Sequence, residues 1–264
     1  MNTADWLAYF RQNQLDRRGI AWHEGISLDP RLRAPLARSL ARFQLGESSN
    51  GVRLLAEARR LSERTGDQFY PRTIALFIAE EQEHSRLLAK VLQQMGVPLL
   101  PRHWTDSLFR RCRHLLGFYE EIAVLLMAEI IALKYYGVIR QRCGAPVLEV
   151  VCEQILADEK FHVRFHCERL HQVIASRCWP IHAICWAALS AMFAAASTVV
   201  AWDHRRVFGA LGSSAAEFLW DSWLNFFAAR SAIFDGTPFA RDAADQIPAE
   251  PPPASLPHIA RSRG

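Results

Sequence analysis

The sequence has few lysines and no extended basic stripe. Only Lys90, Lys134 and Lys160 are lysines, and the formal net charge is +4 over 264 residues. The other basic residues are arginines scattered along helical stretches, and their densest cluster, at 109–114, is short. A nucleic-acid-binding protein needs a basic stripe or a recognisable motif. The sequence therefore predicts no nucleic-acid partner.

Cysteine pairs and nucleotide fingerprints are also missing. None of the six cysteines forms a C-x-x-C pair, which excludes a zinc ribbon, a rubredoxin-type iron site and a thioredoxin-like motif. No G-x-G-x-x-G fingerprint follows a strand, so electrons for any redox reaction must come from an external donor. Residues 1–18 carry acids and no apolar core of a secretory signal. These features favour a cytoplasmic protein with reduced thiols.

One long segment, 181–202, lacks charged residues altogether. Its length could span a bilayer. However, the segment is rich in Ala and Ser, and arginines follow it as well as precede it, so its flanks show no positive-inside bias. A helix that is apolar on all sides can also be buried in a large bundle. We therefore expect burial or an oligomer contact, such as a homodimer, in preference to a membrane span.

Strand signals are nearly absent, and helical periodicity covers most of the chain. Half of the residues are hydrophobic, as in a folded protein with a sizeable core. The pattern predicts an all-α fold. The expected helices cover residues 31–63, 72–95, 114–142, 147–177, 181–208 and 213–234.

The connections between these helices predict how they pack. Short turns join the first helix to the second and the third to the fourth, so each pair should form an antiparallel hairpin. The link at 96–113 is long enough to cross a bundle from end to end. The expected organisation is an N-terminal arm at 1–31, a bundle at 32–177, additional helices at 178–238 and a disordered Pro-rich tail at 239–264.

Two stretches of nearly the same form carry the chemistry: EEQEH ends at His84, and DEKFH ends at His162. In each, a glutamate lies three residues before the histidine, so both side chains share one helix face. The two glutamates, Glu81 and Glu159, are 78 residues apart. A third copy begins at Glu168, but nine further residues turn a helix by about 180°. We expect that copy to lie on the surface.

Two further glutamates are expected in the middle of the other bundle helices. Glu129 lies in the apolar run LLMAEIIAL, where a charge is costly unless it is paired or binds a metal. Glu47 lies in FQLGESSNG and is the less certain of the two, because its distance from the expected turn is less symmetric. Counting from the turns, all four glutamates can meet at similar heights along their helices.

A pair of metal ions between four helices explains this pattern. Such a site takes one Glu from each of two helices and a Glu-x-x-His from each of the other two. Glu81 and Glu159 would then bridge the ions, and each ion would gain one more Glu and one His. Four carboxylates and two imidazoles suit iron or manganese better than zinc. The expected ligands are Glu47, Glu81, His84, Glu129, Glu159 and His162.

Acids precede both motifs and can support the histidines. Metal-bound histidines usually donate their second N–H to a carboxylate. The sequence suggests that Asp158 holds His84 and that Glu80 holds His162, with ordinary exposed acids as the alternative. Asp203 and its neighbour in the fifth helix have no visible partner and are most simply a pair at a helix end.

At these residues, over roughly 32–177, the chain resembles the ferritin-like di-iron carboxylate superfamily. EEQEH and DEKFH look especially like the helix motifs of soluble acyl-carrier-protein desaturases. The resemblance implies a ferritin-like four-helix bundle, with two antiparallel hairpins, a long crossover and two additional C-terminal helices. It also implies an iron pair, bridged by carboxylates, that reacts with O2 or peroxide.

The resemblance has departures. Several oxygenases of the superfamily carry a threonine one turn after the third-helix Glu, where this chain has Ala132 and Leu133. Rubrerythrins usually append a Cys-rich domain that is missing here, and bacterioferritin-type storage proteins are shorter. The motif thus predicts the metal site more strongly than the substrate.

The leading expectation is an enzyme that activates O2 and oxidises a small, mostly apolar organic molecule. The pocket would be lined by Phe43, Leu125, Leu133 and Tyr136, with Gly51 leaving space for substrate or O2. The alternatives are an iron-handling or peroxide-scavenging protein and a membrane-associated enzyme that modifies quinones.

Overall fold

The computed structural model describes residues 1–105 and 118–239, and within these ranges it is helical with no strand. The all-α prediction is therefore confirmed. A short 3-10 turn, Trp22–Glu24, lies between the first two helices. The helices are α1 (Thr3–Leu15), α2 (Pro30–Glu47), α3 (Val52–Thr65), α4 (Tyr70–Gln94), α5 (Phe118–Arg142), α6 (Pro146–Ile174), α7 (Trp179–Asp203), α8 (Arg205–Ala210) and α9 (Ala215–Phe234).

The N-terminal arm contains a helix that the sequence analysis did not identify. Asn2 and Asp5 form a reciprocal capping box at the start of α1, which satisfies two of the free N–H groups there. Trp6 and Phe10 are fully buried, and α1 packs against α4. The first residues of the chain are thus part of the core.

The helix expected at 31–63 is two helices. Asp29 caps the start of α2 by accepting a hydrogen bond from the Arg31 N–H, and the helix ends at Glu47. Gly51, with φ +62°, then starts α3 in a new direction, a left-handed conformation that glycine adopts without steric cost. Glu47 is consequently the last residue of a helix, and its expected place in mid-helix was wrong.

The expected hairpin partners pack against each other. α5 and α6 run side by side and are joined by a tight turn at Gly144, φ +62°. α2 packs on α4, although α3 now stands between them in the chain. α4 also contacts α6, which joins the two pairs. The second part of the predicted crossover, 106–113, with its arginine cluster, lies outside the described residues, as do the start of the third predicted helix and the predicted tail beyond Phe239.

The C-terminal helices cover one side of the bundle. The helix expected at 181–208 is interrupted at His204, which separates α7 from α8. α9 packs on α5, α6 and α7. α7 buries a single face at four-residue spacing, through Leu189, Phe193, Ser197 and Ala201.

Two described helices, α5 and α7, are long and apolar enough to cross a membrane. The tested window of α5 is 78% buried inside the chain, as is usual for a core helix, but that of α7 is only 17% buried. The segment 181–202 is therefore not buried in the bundle, and that part of the expectation was wrong. The alternative, an oligomer contact, stays a prediction. Because α7 lies on the outside of the molecule, large side chains such as Trp179, Ile184 and Trp202 are exposed.

Candidate metal centre

The six residues selected from the sequence lie in one cluster between four helices. They form two groups, each able to hold a metal ion, and the ligand atoms within each group lie within 4.8 Å of one another. Glu81 and Glu159 belong to both groups. The side chains are those of Glu47 in α2, Glu81 and His84 in α4, Glu129 in α5, and Glu159 and His162 in α6.

The first group contains Glu47, Glu81, His84 and Glu159. His84 is fully buried, and its Nδ1 lies 3.5 Å from Glu159 Oε1 and 3.7 Å from Glu81 Oε1. One histidine nitrogen therefore faces the two shared carboxylates. Glu47 adds its own carboxylate from the end of α2.

The second group contains Glu81, Glu129, Glu159 and His162. The Nδ1 of His162 lies 3.1 Å from Glu81 Oε1, 3.4 Å from Glu159 Oε2 and 4.0 Å from Glu129 Oε2. The two histidine rings are 5.6 Å apart between centroids. The two groups therefore mirror each other, with the shared glutamates in the centre.

Several atoms at the centre are buried without a hydrogen-bond partner. They are both carboxylate oxygens of Glu159, one oxygen of Glu81 and the Nδ1 atoms of the two histidines. Burying polar atoms unpaired costs about 1–3 kcal/mol each, and charged oxygens cost more. A cation among them would remove this cost, so the residues fit a metal ion.

A hydrogen bond across the bundle orients each histidine. The Nε2 of His84 lies 2.9 Å from Asp158 Oδ2, and the Nε2 of His162 lies 2.9 Å from Glu80 Oε2. These are the two pairings expected from the sequence. Because a carboxylate accepts the Nε2–H, each neutral ring leaves Nδ1 without a proton and directed at the shared glutamates.

Two residues of the N-terminal arm hold these acids, and the sequence analysis missed both. The Asn13 side-chain amide donates to Glu80 Oε1 at 2.6 Å and to Asp158 Oδ1 at 2.7 Å. Arg17 forms an ion pair with Asp158 at 2.5 Å and lies 3.4 Å from Glu80. Asn13 and Arg17 are four residues apart, a spacing that in a helix places both side chains on one face. No local pattern connects them to acids more than 60 residues away in the sequence.

The glutamates titrate unusually because they are crowded and buried. Burial, with the charges of Glu81 and Glu129, raises the pKa of Glu47 well above its usual range. Burial, with the charges of Glu159 and Glu81, does the same to the pKa of Glu129. Burial also raises the pKa of Glu159, to about 7. Without a cation, the cluster thus favours keeping protons on some carboxylates.

Two acids that contact the histidines, Glu81 and Asp158, have lowered pKa values, and His162 has a raised one. Burial tends to raise the pKa of Glu81, but the close contact with His162 at 3.1 Å and the charges of His162 and His84 outweigh it and lower the pKa to about 2. Burial tends to lower the pKa of His162, yet its close contacts with Glu159, Glu80 and Glu81 raise that pKa well above 6.5. For Asp158, the His84 contact outweighs burial and lowers the pKa. Negatively charged acids and a positively charged imidazole therefore lie side by side in the metal-free site.

The third Glu-x-x-His copy points away from this centre, as expected. Glu168 accepts hydrogen bonds from Trp6 Nε1 and from the chain's N-terminus, and the His171 ring bonds to the Ile233 carbonyl oxygen. His166 is closer to the cluster: it is fully buried, and its Nε2 lies 3.9 Å from Glu129 Oε1.

A cavity of about 400 Å³ adjoins the cluster. Its walls are mostly apolar side chains of α2, α4, α5 and α7, and they include Glu47, Glu81 and Glu129. Phe43 and Leu125 line it as expected. A molecule in this space would meet the carboxylates at one end and hydrocarbon along its sides.

The other expected pocket residues behave differently. The lining positions of α5 end at Ala132, so Leu133 lies just beyond the cavity. Tyr136 is fully buried outside the lining, and its hydroxyl donates to Glu47 Oε1 at 3.0 Å. Gly51 does line the cavity but leaves no space, because a Cβ there would be 2.5 Å from the Ile78 side chain.

Comparison with protein-family models, with curated proteins and with solved structures found no match for this chain.

Proposed function

We propose that this protein is a ferritin-like di-iron oxidoreductase that uses O2 or peroxide to oxidise a small, mostly apolar organic molecule. The observation that carries the proposal is the pair of four-residue groups that share Glu81 and Glu159. The apolar cavity that reaches the same carboxylates supports the organic substrate.

The donor set supports iron over zinc. Two groups that share carboxylates offer mostly oxygen donors with one imidazole each, a mixture that suits Fe(II) or Mn(II), whereas structural zinc prefers four tetrahedral ligands with more N or S. Iron held there would supply the redox chemistry towards O2. The iron would be held by Glu47, Glu81, His84, Glu129, Glu159 and His162.

The surrounding residues keep this donor set in one arrangement. Asp158 and Glu80 fix the two imidazoles, and Asn13 and Arg17 in turn fix the two acids. The Tyr136 hydroxyl holds a proton beside Glu47, because burial and the charge of Glu47 raise the tyrosine pKa. The apolar cavity walls exclude water from the reacting end of the substrate.

The packing of α2 on α4, of α5 on α6 and of α4 on α6 supports a ferritin-like bundle within the all-helical fold. Members of such a fold carry different chemistries on similar sites, so the cavity rather than the bundle supports the substrate assignment. We further propose that an external, cytoplasmic donor supplies the electrons.

Iron binding by matched variants tests the proposal. The purified chain is loaded with Fe(II) without oxygen, and bound iron is counted; we expect about two ions per chain. Glu81→Ala should lose most of the iron, because Glu81 belongs to both groups. Glu83→Ala is the control, since this acid lies in the same motif but pairs with Arg86 on the surface. Full iron retention by Glu81→Ala would contradict the proposal.

Oxygen uptake separates an enzyme from an iron-handling protein. After loading, O2 is admitted with and without a panel of medium-sized apolar compounds. Repeated O2 consumption that depends on a reductant and on one organic compound is expected for the enzyme. Uptake of many irons per chain by a hollow oligomer would instead identify iron storage.

The exposed apolar helix α7 favours a second candidate, an enzyme of the same type that modifies a quinone at a membrane. α7 lines the cavity through residues such as Met192 and Val199 in its second half, while Trp179 and Ile184 in its first half are exposed. An apolar substrate could then pass from lipid to the site along one helix.

Sedimentation with phospholipid vesicles tests this candidate. We expect the chain to sediment with the vesicles and its tryptophan fluorescence to shift to shorter wavelength. The double variant Trp179→Gln, Ile184→Gln should stay in the supernatant, whereas Leu15→Gln, which changes an equally exposed residue on α1, should behave like wild type. If wild type itself stays in the supernatant, the soluble enzyme is the correct alternative.

A further inference from the structure

The cavity has a second polar region, away from the carboxylates. The cavity runs along α2, whose lining residues are Arg42, Phe43, Gly46 and Glu47. Arg42, the cavity-lining residue of α2 farthest from Glu47, lies five residues before it, about 8 Å along the helix axis. The residues around Arg42 therefore mark the far end of a space that begins at the metal ligands.

His204, at the junction of α7 and α8, lines the cavity at that far end. Its ring is 5.0 Å from the Phe43 ring, and its side chain is 6% exposed. The Nδ1 atom lies 2.7 Å from Ser39 Oγ. Asp203 and His204 lie at a helix end, as expected from the sequence. They are not without partners, however, because Ser39 and Arg42 of α2 contact them.

A chain of hydrogen bonds decides which nitrogen of His204 carries the proton. Ser39 Oγ also lies 2.6 Å from the Tyr135 hydroxyl. Tyr135 is fully buried, and burial raises its pKa, so the hydroxyl keeps its proton. The structure records Ser39 as the hydrogen-bond partner of that hydroxyl. Tyr135 therefore donates to Ser39, and Ser39 donates to Nδ1, since the reverse order would leave a buried O–H unpaired. The hydrogen of the imidazole is then on Nε2.

This Nε2–H is a neutral donor. Burial, followed by the charges of Arg42 and His103, lowers the pKa of His204 to about 3. Nε2 lies 3.7 Å from Asp203 Oδ2, which is beyond hydrogen-bond distance. The other carboxylate oxygen of Asp203 pairs with Arg42 at 2.8 Å. Among the described residues, no hydrogen bond from Nε2 is recorded.

We propose that His204 binds the polar end of the substrate through this N–H, and that the substrate has an apolar body about 8 Å long ending in an uncharged hydrogen-bond acceptor. A ketone, aldehyde or ester oxygen has the required chemistry. A carboxylate is less suited, because the imidazole is neutral and the Arg42 charge is already paired. This inference rests on the proposed function, since it names the substrate class of the same site.

Such binding also predicts where the substrate is oxidised. With the acceptor oxygen at His204, the opposite end of the molecule lies beside Glu47 and the other carboxylates. Oxidation should therefore occur on carbons remote from the polar group. The apolar walls between the two ends hold the body in line.

Calorimetry with two matched probes, 2-octanone and octane, tests the inference. The full chain is loaded with Fe(II) and kept anaerobic, so that binding is measured without turnover. In His204→Phe, which keeps a ring but removes the donor, we expect ketone binding to weaken about five- to tenfold. The affinity for octane should stay within about twofold of wild type, because the phenyl ring of the variant replaces the apolar contact of the imidazole ring.

Two further variants make the result independent of folding defects. Ser39→Ala keeps the imidazole but removes the hydrogen bond that places its hydrogen on Nε2. It should therefore weaken ketone binding but not octane binding. His204→Gln restores an N–H donor and should recover most of the ketone affinity. Trp202→Phe, at an exposed position on the same helix end, is the control and should bind both probes as wild type does.

The possible outcomes are distinct. Equal loss of both probes in His204→Phe, unchanged ketone binding, or no binding of either probe to wild type would overturn the inference. If the chain fails to hold iron but still discriminates the ketone through His204, the proposed function fails and the binding site remains.

Discussion

Glu159 shows how closely the candidate site depends on an added positive charge. The residue is fully buried, and neither of its carboxylate oxygens has a hydrogen-bond partner. Glu81 and Glu129 add further carboxylates to the same small volume. Without a cation, folding brings like charges together out of water, which is unfavourable until some of them take up protons.

The stability of the metal-free protein should therefore fall as pH rises. Burial raises the pKa of Glu159 from 4.5 to about 7, so the folded state holds a proton that the unfolded state releases between these values. On this basis Glu159 alone costs on the order of 3 kcal/mol at pH 8 relative to pH 4.5. Glu47 and Glu129 act in the same direction. Thermal unfolding of the chelator-treated protein at pH 5 and pH 8 measures the fall.

His162 also makes stability fall as pH rises, whereas Glu81 and Asp158 affect stability only in acid. Its raised pKa makes its contribution complete below pH 6.5 and lost as pH rises through the folded value. The lowered pKa values of Glu81 and Asp158 matter only below about pH 4.5, where acid removes their stabilisation. Glu159→Gln should therefore be more stable than wild type at pH 8 without metal. Equal pH dependence in both proteins would refute this assignment.

At the scale of elements, α1 is part of the candidate site although it holds no ligand. Its buried Trp6 and Phe10 anchor it beside α4 and α6. This anchoring brings Asn13 and Arg17 onto the acids that orient the histidines. The N-terminal arm thus contacts the two carboxylates that orient the candidate ligands His84 and His162.

Replacing Arg17 tests this role. Arg17→Met keeps much of the side-chain bulk but removes the charge beside Asp158, and we expect iron affinity to fall about 10–100-fold. Arg18→Met is the matched control, because Arg18 pairs with Glu153 on the surface. Titration of Fe(II) against a competing chelator gives both affinities. Equal affinities would mean that the arm is only structural.

The break between α2 and α3 is the second element that shapes the site. Gly51 has φ +62°, and Ile78 packs against the position where a Cβ would be. α2 ends at Glu47 before this break, and a carboxylate oxygen of Glu47 lies within 4.8 Å of ligand atoms of Glu81 and His84 in α4.

Gly51→Ala should therefore destabilise the protein by roughly 2–4 kcal/mol, since it adds backbone strain to a clash with Ile78. Gly137→Ala offers the contrast: it lies inside α5 with open space around it, and alanine there should stabilise by about 0.5–1 kcal/mol. Denaturant unfolding of both variants measures the difference. A Gly51→Ala protein as stable as wild type would show that the break tolerates a side chain.

At the scale of the whole molecule, the cavity exists because the C-terminal helices close one side of the bundle. α7 contributes Met192, Ala196 and Val200 to the wall opposite the carboxylates. The small side chains of α7 leave room that larger ones would fill. The wall formed by α7 and the candidate metal ligands thus come from different parts of the chain.

Filling the cavity should separate ligand binding from iron binding. Ala196→Trp projects a large ring into the cavity, and we expect iron content to stay at the wild-type level while ligand binding and substrate-dependent O2 uptake fall at least tenfold. Ala187→Trp, on the exposed face of the same helix, should change neither. Loss of iron in Ala196→Trp would mean that the wall also supports the ligands.

Local pattern was enough for much of the site. A repeated Glu-x-x-His and an acid inside the apolar run of α5 selected residues that the structure brings together. The break at Gly51 was missed because apolar spacing continues on both sides of it. The roles of Asn13, Arg17 and His204 were missed because each depends on partners far away in the chain.

The sequence by itself determined the helical fold and the residues able to hold metal, because helical periodicity and three-residue spacing are local properties that any amphipathic helix expresses. Only the tertiary structure decided that Glu81 and Glu159 are shared, that α1 supports the histidines and that α7 walls a cavity. These features depend on which helix faces meet, and that is set by packing between distant segments.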